Sequence, residues 1–371
     1  MATTTLFLCG DVMTGRGVDQ ILPHPGDPAL HEPGAGDARE YVRLAEMKQG
    51  PLPRGVTPAS IWGAALAELD RVKPVARIIN LETAVTTSDD WWPDKAVHYR
   101  MHPGNVDCLT AARIDVATLA NNHTLDWGAA GLVETLDTLA AAGIATVGAG
   151  RDRQAAQRPA LIPLADGGRV IVAGVGSTTS GIPWRWAATA ERPGVNLLGG
   201  LAVNDAVALA ARLREVKRPG DIAVVSIHWG SNWGHDVDDE MVAFAHALVD
   251  GGVDIVHGHS AHHVRPVEVY RGRLILYGCG ECIDDYEGIH GYEEFRSDLM
   301  LLYFPTIDRA TGRLVHLRMV PLQIHRLSLR SASAADAAWL TDTLGRISRP
   351  LGTEVAYAGG VLCVSPADPG G

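Results

Sequence analysis

Short apolar runs alternate with segments of helical periodicity along most of the chain. Seven runs are apolar nearly throughout, which is typical of strands buried on both faces of a sheet. They are Thr4–Cys9, Arg77–Leu81, Val116–Leu119, Ala145–Val147, Arg169–Val175, Ile222–Ile227 and Asp254–His257. Apolar residues at helical spacing predict helices between them, at Ser60–Arg71, Ala129–Ala142, Asn204–Val216 and Asp238–Val249. The alternation of strands and helices predicts an α/β architecture.

The pattern changes after Val264, where strand pairs follow one another without intervening helices. Val267–Tyr270 with Leu274–Tyr277, and Leu299–Phe304 with Leu314–Met319, predict two hairpins. A helix is predicted at Ala334–Ile347. We expect one domain over residues 1–350, and a disordered tail at 365–371. A Pro/Gly-rich insert near 23–58 is long for a plain connection and is either a functional lid or a mobile insert.

Composition narrows the class of protein. The chain has 371 residues, of which 46% are hydrophobic and 20% charged, and this excludes a disordered protein. A net charge of −11 argues against a nucleic-acid partner. The start lacks a signal-peptide pattern and no window is apolar enough for a membrane span, so we expect a cytoplasmic protein without membrane contact. Cys279 and Cys282 form a lone C-x-x-C, which indicates either buried thiols or a zinc or redox site.

Polar side chains with metal-binding or proton-transfer chemistry follow five of the predicted strands. In α/β sheets the loops beyond the carboxyl ends of strands bind ligands. Taken singly, each of these side chains also has a structural interpretation, such as a helix cap for Asp11, a loop carboxylate for Glu82 or a core histidine for His228. Together they offer the oxygen and imidazole ligands that suit Mn, Fe or Zn. The candidates are Asp11, Glu82, Asn122, His123, His228, His259 and His262.

The order of the motifs resembles that of a known family. The motifs are Gly10-Asp11, Asn80-Leu81-Glu82, Asn121-Asn122-His123, His228-Trp229-Gly230 and Gly258-His259-x-x-His262. They resemble the bacterial capsule-synthesis CapA family, which belongs to the calcineurin-like metallophosphatase superfamily. The resemblance spans about Leu6 to Phe304. It implies a four-layer α/β-β-α sandwich with the site along one edge of two facing sheets.

The resemblance also implies a set of metal ligands and a proton donor, His123, for the leaving group. Met13 stands where the superfamily has a histidine, so we expect one divalent metal (Mn, Fe or Zn) of doubtful occupancy, and no organic cofactor. A tight metal pair and efficient phosphate-ester hydrolysis are not inferred. The implied ligands are Asp11, Glu82, Asn122, His228, His259 and His262.

The chain is also similar to the CapA-like peptide epimerases of lasso-peptide pathways, and this likeness gives the leading hypothesis. Inverting an α-carbon needs an acid and a base on opposite faces of that carbon. The expected acid–base residues are Asp11, Glu82, His123, His228, His259 and His262. The likeness implies a ribosomally made precursor peptide as substrate, with a leader-peptide-binding protein as a further partner. The alternatives are a metal-dependent phosphoesterase or glutamyl-amide hydrolase, and a component of poly-γ-glutamate capsule synthesis that keeps a relic site.

Three residues outside the motifs are candidates for substrate binding. Trp184 and Trp186 lie in a Gly/Pro/Arg loop, where they either line a peptide groove or pack onto the core. Arg16 follows Asp11 closely and either clamps a substrate carboxylate or is a surface arginine at a helix start.

Overall fold

A computed structural model describes residues 2–93, 95–287 and 291–365. The expected disorder of the tail concerns residues that, apart from Ser365, lie outside the described ones. The α-helices of the described residues are α1 Arg16–Ile21, α2 Arg39–Gln49, α3 Ala64–Val72, α4 Asp107–Ala111, α5 Gly128–Ala141, α6 Arg153–Gln157, α7 Val203–Val216, α8 Asp239–Asp250 and α9 Ala334–Ser348.

The strands fall close to the predicted positions. They are β1 Thr3–Thr5, β2 Phe7–Val12, β3 Ala29–Glu32, β4 Ala35–Asp37, β5 Arg77–Leu81, β6 Ala84–Val85, β7 Arg100–Met101, β8 Val116–Thr118, β9 Ala145–Val147, β10 Ala149–Gly150, β11 Ala160–Pro163, β12 Arg169–Ser177, β13 Gly194–Val195, β14 Leu197–Leu198, β15 Ile222–His228, β16 Ile255–His259, β17 Val267–Tyr270, β18 Arg273–Leu276, β19 Glu281–Ile283, β20 Leu299–Asp308, β21 Leu314–Ile324, β22 Leu329–Ser331, β23 Ala356–Ala358 and β24 Val361–Val364.

Two sheets dominate the fold. The larger has the order β23-β24-β21-β20-β2-β5-β8-β9, with β1, β19 and β22 attached, and the smaller has the order β11-β12-β15-β16-β18-β17, with β14 attached. Strands β2, β5, β8 and β9 run parallel, as do β12, β15, β16 and β18. Both hairpins predicted after Val264 are present, one in each sheet.

The two sheets pack face to face through one apolar cluster, which includes Leu8 of the larger sheet and Val172 and Val224 of the smaller. The outer face of the larger sheet is covered by α3 to α5, with Leu69 and Leu132 in the shared core. The outer face of the smaller sheet is covered by α7 and α8. The predicted four-layer α/β-β-α sandwich is confirmed.

The Pro/Gly-rich insert contains regular structure that the sequence pattern did not predict. It forms the hairpin of β3 and β4 and then α2, whose Val42 and Ala45 are buried. Tyr41 of α2 lies over the guanidinium of Arg16, 3.7 Å from its carbon to the ring centre. The insert therefore packs beside the segment that follows Asp11.

Two expectations from the sequence concern membrane-spanning helices and the cysteines. Among the described residues, no helix combines the length and the apolar character needed to cross a membrane. No cysteine forms a disulfide, and both Cys279 and Cys282 are buried, so the interpretation of this pair stays a prediction.

Candidate active site

A β-bulge in β2 decides where Asp11 points. Leu8 pairs with Ile78, but Asp11 pairs with Asn80, so β2 contains one more residue than β5 between the two pairs. Side chains alternate between the faces of a strand, and one inserted residue changes the face. Asp11 therefore lies on the same face as Leu8, between the two sheets.

The space between the sheets changes from apolar to polar toward the carboxyl ends of the strands. On β15, Val224 belongs to the apolar cluster, while Ser226 and His228 follow at alternate positions on the same face. On β16, Ile255 is followed in the same way by His257 and His259. The same alternation of side chains along β15 and β16 therefore places apolar residues in the core and the polar residues at the edge of that core.

Asp11 joins two groups of side chains that could hold a metal ion. In each group the ligand atoms lie within 4.8 Å of one another. One group is Asp11, His228 and His259, and the other is Asp11, Glu82 and Glu281. We call these five residues the metal cluster. All five are buried.

Glu281 is a candidate ligand that the sequence reasoning missed. It begins β19, which pairs in parallel with β2 and sets Glu281 directly beside Asp11. Its carboxylate also contacts Nδ1 of His262, so His262 lies next to the metal cluster and contacts it through Glu281. The available signal was the run Gly278-Cys279-Gly280-Glu281, which follows a predicted strand as the other motifs do.

The histidines of the metal cluster contact each other. Nδ1 of His228 lies 2.8 Å from Nδ1 of His259, and Nε2 of His228 lies 2.9 Å from Oδ1 of Asn122. Nε2 of His259 lies 3.0 Å from Oγ of Ser226. Asn122, which the resemblance implies as a metal ligand, is thereby brought to the edge of the metal cluster.

His123 is held by a carboxylate that is itself held by a lysine. Its Nδ1 lies 2.6 Å from Oδ2 of Asp126, and Oδ1 of Asp126 accepts from Nζ of Lys95 at 2.5 Å. Its Nε2 is directed toward the metal cluster, 3.9 Å from Oε1 of Glu82. Tyr99 stacks on the imidazole, with ring centres 3.7 Å apart. His123 is therefore fixed in orientation, with its Nε2 facing the site.

Burial is the largest cause of the pKa shifts of Glu82, His123 and Asp126. It raises the pKa of Glu82 well above its usual range, and the neighbouring charge of Asp11 adds to this. Burial, followed by the charge of Lys95, lowers the pKa of His123 well below 6.5. Burial raises the pKa of Asp126 to about 6, although Lys95 opposes the rise. At neutral pH His123 is uncharged, and the hydrogen bond of its Nδ1 to ionised Asp126 leaves Nε2 free to accept a proton.

A cavity of about 440 Å³ adjoins the metal cluster. His262 belongs to its wall and also contacts Glu281 of the cluster. The cavity volume lies within the range of small-molecule sites. Its described lining residues include Lys48, Trp233, His262, Asp284, Tyr286, Glu287, Tyr292, Glu293, Arg296 and Asp298.

The three residues predicted to bind substrate lie in different surroundings. Arg16 starts α1 but is buried, and it donates to both carboxylate oxygens of Asp285. Trp186 is buried and packs edge-on against Trp92, whereas Trp184 is 71% exposed. None of the three belongs to the metal cluster, and their role toward substrate stays a prediction.

The donor set of the metal cluster fits a divalent cation. Three carboxylates and two imidazoles converge in a buried space, and buried carboxylates are rare in proteins unless they are paired or bind a metal. Such mixed oxygen and nitrogen donors suit Mn, Fe or Zn. Asp11 is common to both groups, so it would help to hold an ion at either of them.

Comparison with known proteins agrees with the motifs. Residues 5–286 match the family model described as bacterial capsule synthesis protein PGA_cap. A probable polyglutamine synthesis accessory protein of Mycobacterium tuberculosis is 53% identical over 352 residues, which cover 95% of this chain and 93% of that protein. The PGA biosynthesis protein CapA of Bacillus subtilis is 31% identical over 248 residues, which cover 66% of this chain and 60% of that protein.

A solved structure is also similar. The 5'-nucleotidase precursor from Thermus thermophilus aligns with a TM-score of 0.47 and 16% identity, over 94% of this chain and 59% of that one. The family match and the long, 53% identical relative carry the assignment. The chain belongs to the bacterial capsule synthesis protein family PGA_cap, as the CapA-like motifs implied.

Proposed function

We propose that this protein is a metal-dependent hydrolase that cleaves amide bonds during the synthesis of a glutamate polymer. The observation that carries the proposal is the position of His123, whose Nε2 faces a cluster able to hold a divalent metal. The relatives named for polyglutamine and PGA synthesis support the choice of substrate.

The residues of the site have different roles in the proposed hydrolysis. Asp11, Glu82, Glu281, His228 and His259 would hold the metal, with Asn122 beside them. A bound divalent metal supplies Lewis acidity toward the substrate's carbonyl oxygen. His123 accepts the proton of the attacking water at Nε2 and returns it to the leaving nitrogen. Asp126 holds the imidazole in orientation and stabilises its charged form while it carries the proton.

The charges around the metal cluster favour amides over phosphate esters. Transfer of a phosphoryl group relies on cations that stabilise its oxygens. Two cations of the described chain lie near the cluster, Lys95 and Arg16, and they are already paired with Asp126 and Asp285. An amide carbonyl develops a single negative charge and needs no further cation.

The proposal is tested with metal-loaded protein and a γ-glutamyl oligomer. We expect cleavage products with new amino groups to be detected by mass spectrometry, with EDTA abolishing their release and His123→Gln lowering its rate by about 10²- to 10⁴-fold. A phosphodiester such as bis-p-nitrophenyl phosphate serves as the competing substrate. Cleavage of the phosphodiester with no cleavage of the oligomer would overturn the proposal.

A second candidate is the epimerisation of a peptide α-carbon. The observation that favours it is that two histidines border the metal cluster, His123 at Glu82 and His262 at Glu281. Such a pair supplies one acid and one base. Its substrate would be a ribosomal precursor peptide in the cytoplasm, presented with a leader-peptide-binding partner. Incubation in deuterated water should add mass to the peptide without cleaving it, and the absence of a D-residue would exclude this function.

A further inference from the structure

The cavity beside the metal cluster has an excess of carboxylates that the protein does not satisfy. Asp284 is 2% exposed and Glu287 is 7% exposed, and both line the cavity. One oxygen of each carboxyl accepts a backbone N–H, of Tyr286 for Asp284 and of Leu327 for Glu287. Within the described part of the chain, Oδ2 of Asp284 and Oε2 of Glu287 have no hydrogen-bond partner. Buried polar atoms are nearly always paired, so these two indicate a missing donor.

The cations of the cavity do not supply that donor. Arg296 forms ion pairs with Asp298 and Asp336, at 2.8 Å from each. Lys48 is the other cationic side chain among the described lining residues, and it is exposed at the end of α2. A ligand that carries its own positive charge would satisfy the carboxylates.

The rest of the wall suits the same kind of ligand. Trp233 stacks on Tyr292 with ring centres 4.0 Å apart, and both rings line the cavity. Aromatic faces attract cations and also cover apolar stems. A carboxylate on the ligand would be repelled by Asp284 and Glu287. The cavity is therefore unsuited to the interior of a polymer of glutamates, in which each unit carries a carboxylate and no ammonium group to offset it.

We propose that this cavity binds the free amino end of a peptide or glutamate polymer, so that the enzyme acts near that end of the chain. The inference rests on the proposed function in one respect, that the cavity beside the metal cluster receives the substrate of that site. His262 connects the two places, because it lines the cavity and contacts Glu281. The ammonium group would lie between Asp284 and Glu287.

The test measures binding without turnover. Metal-free protein is titrated calorimetrically with tri-γ-glutamate that has a free amino end, and with the same peptide acetylated at that end. We expect acetylation to weaken binding at least tenfold. Equal affinity for the two peptides would overturn the proposal. A protein that prefers the free amine but cleaves nothing would contradict the hydrolase function and leave this site standing.

Two variants test whether the preference for the free amine depends on the carboxylates of the cavity. Glu287→Gln keeps an oxygen to accept from Leu327 and should abolish the preference for the free amine. Glu268→Gln removes the charge of another buried carboxyl, which lies outside the cavity and is bonded to Tyr277 and His246, and it should keep the preference. Thermal melting confirms that each variant is folded, and Asp284→Asn replaces Glu287→Gln if the latter is not. A preference that persists in the folded cavity variant would refute the site.

Discussion

The Nδ1 atoms of His228 and His259 lie 2.8 Å apart on neighbouring parallel strands. Burial lowers the pKa of both histidines well below 6.5, so both are neutral at pH 7. A neutral imidazole has one N–H, and a hydrogen bond between two Nδ1 atoms requires that one of them is protonated and the other is not. The two histidines therefore adopt different tautomers, and the choice is linked to Ser226 and Asn122 at their other nitrogens.

Glu281→Gln should lower the affinity for Mn²⁺ by about 10- to 100-fold or more, because the metal cluster loses one of its charged donors. Metal content after dialysis against limiting Mn²⁺ measures the change. Glu268→Gln is the matched control, since Glu268 is also a buried carboxyl on a strand but belongs to neither group. An unchanged metal content in Glu281→Gln would exclude Glu281 as a ligand.

His123→Gln should lower kcat by about 10²- to 10⁴-fold, the usual contribution of a general acid–base group. Metal content should stay at the wild-type level, because His123 belongs to neither metal group. Steady-state kinetics and metal analysis on the same preparation separate the two effects. A parallel loss of metal would show that His123 acts as a ligand.

Activity should fall as the pH drops below about 6. Burial raises the pKa of Asp126 to about 6 from its usual 3.8, and its ionised form is needed to hold His123. Lys95 opposes this rise, so Lys95→Met should move the acidic limb of the kcat profile to higher pH. Ionisation of the same carboxyl costs more in the folded protein than in the unfolded chain. Its contribution to the free energy of unfolding therefore falls as the pH rises from 3.8 to about 6. An acidic limb that does not move in Lys95→Met would contradict the role given to Asp126.

Gly10→Ala should destabilise the protein by about 2 kcal/mol or more, since a rigid backbone contact has to open. A Cβ at Gly10 would lie 1.7 Å from the backbone oxygen of Gly280, where β2 and β19 approach each other. Chemical denaturation measures the loss. Gly199→Ala is the control, because a Cβ there meets no atom within 4 Å. Equal stability of the two variants would show that β19 is free to move away from β2.

Local patterns predicted the elements well, because they depend on burial that a strand or helix imposes on its own residues. Arg77–Leu81 and Ala145–Val147 have the predicted bounds. The same patterns, together with the motifs, led to His228 and His259. Helix α2 was missed because only Val42 and Ala45 of its eleven residues are buried, too few to produce a recognisable stripe.

Glu281 was missed for a different reason. Its place beside Asp11 comes from the pairing of β19 with β2, which are about 270 positions apart in the chain, and no local pattern reports such a pairing. The charge pairs of Lys95 and Arg16 also depend on distant partners. Of the metal cluster, sequence reasoning therefore reached Asp11, Glu82, His228 and His259, and it missed Glu281, which the remote strand β19 contributes.

The bulge in β2 has an evolutionary consequence. One extra residue between Leu8 and Asp11 turns the shared carboxylate toward the space between the sheets. Without the bulge, regular alternation over the same residues would turn Asp11 toward the helical layer, because Leu8 and Asp11 are three positions apart, while every ligand remained in the chain. A relative that keeps every motif but pairs β2 with β5 without the bulge would lose the site, so the bulge distinguishes an intact site from a relic one better than the motifs do.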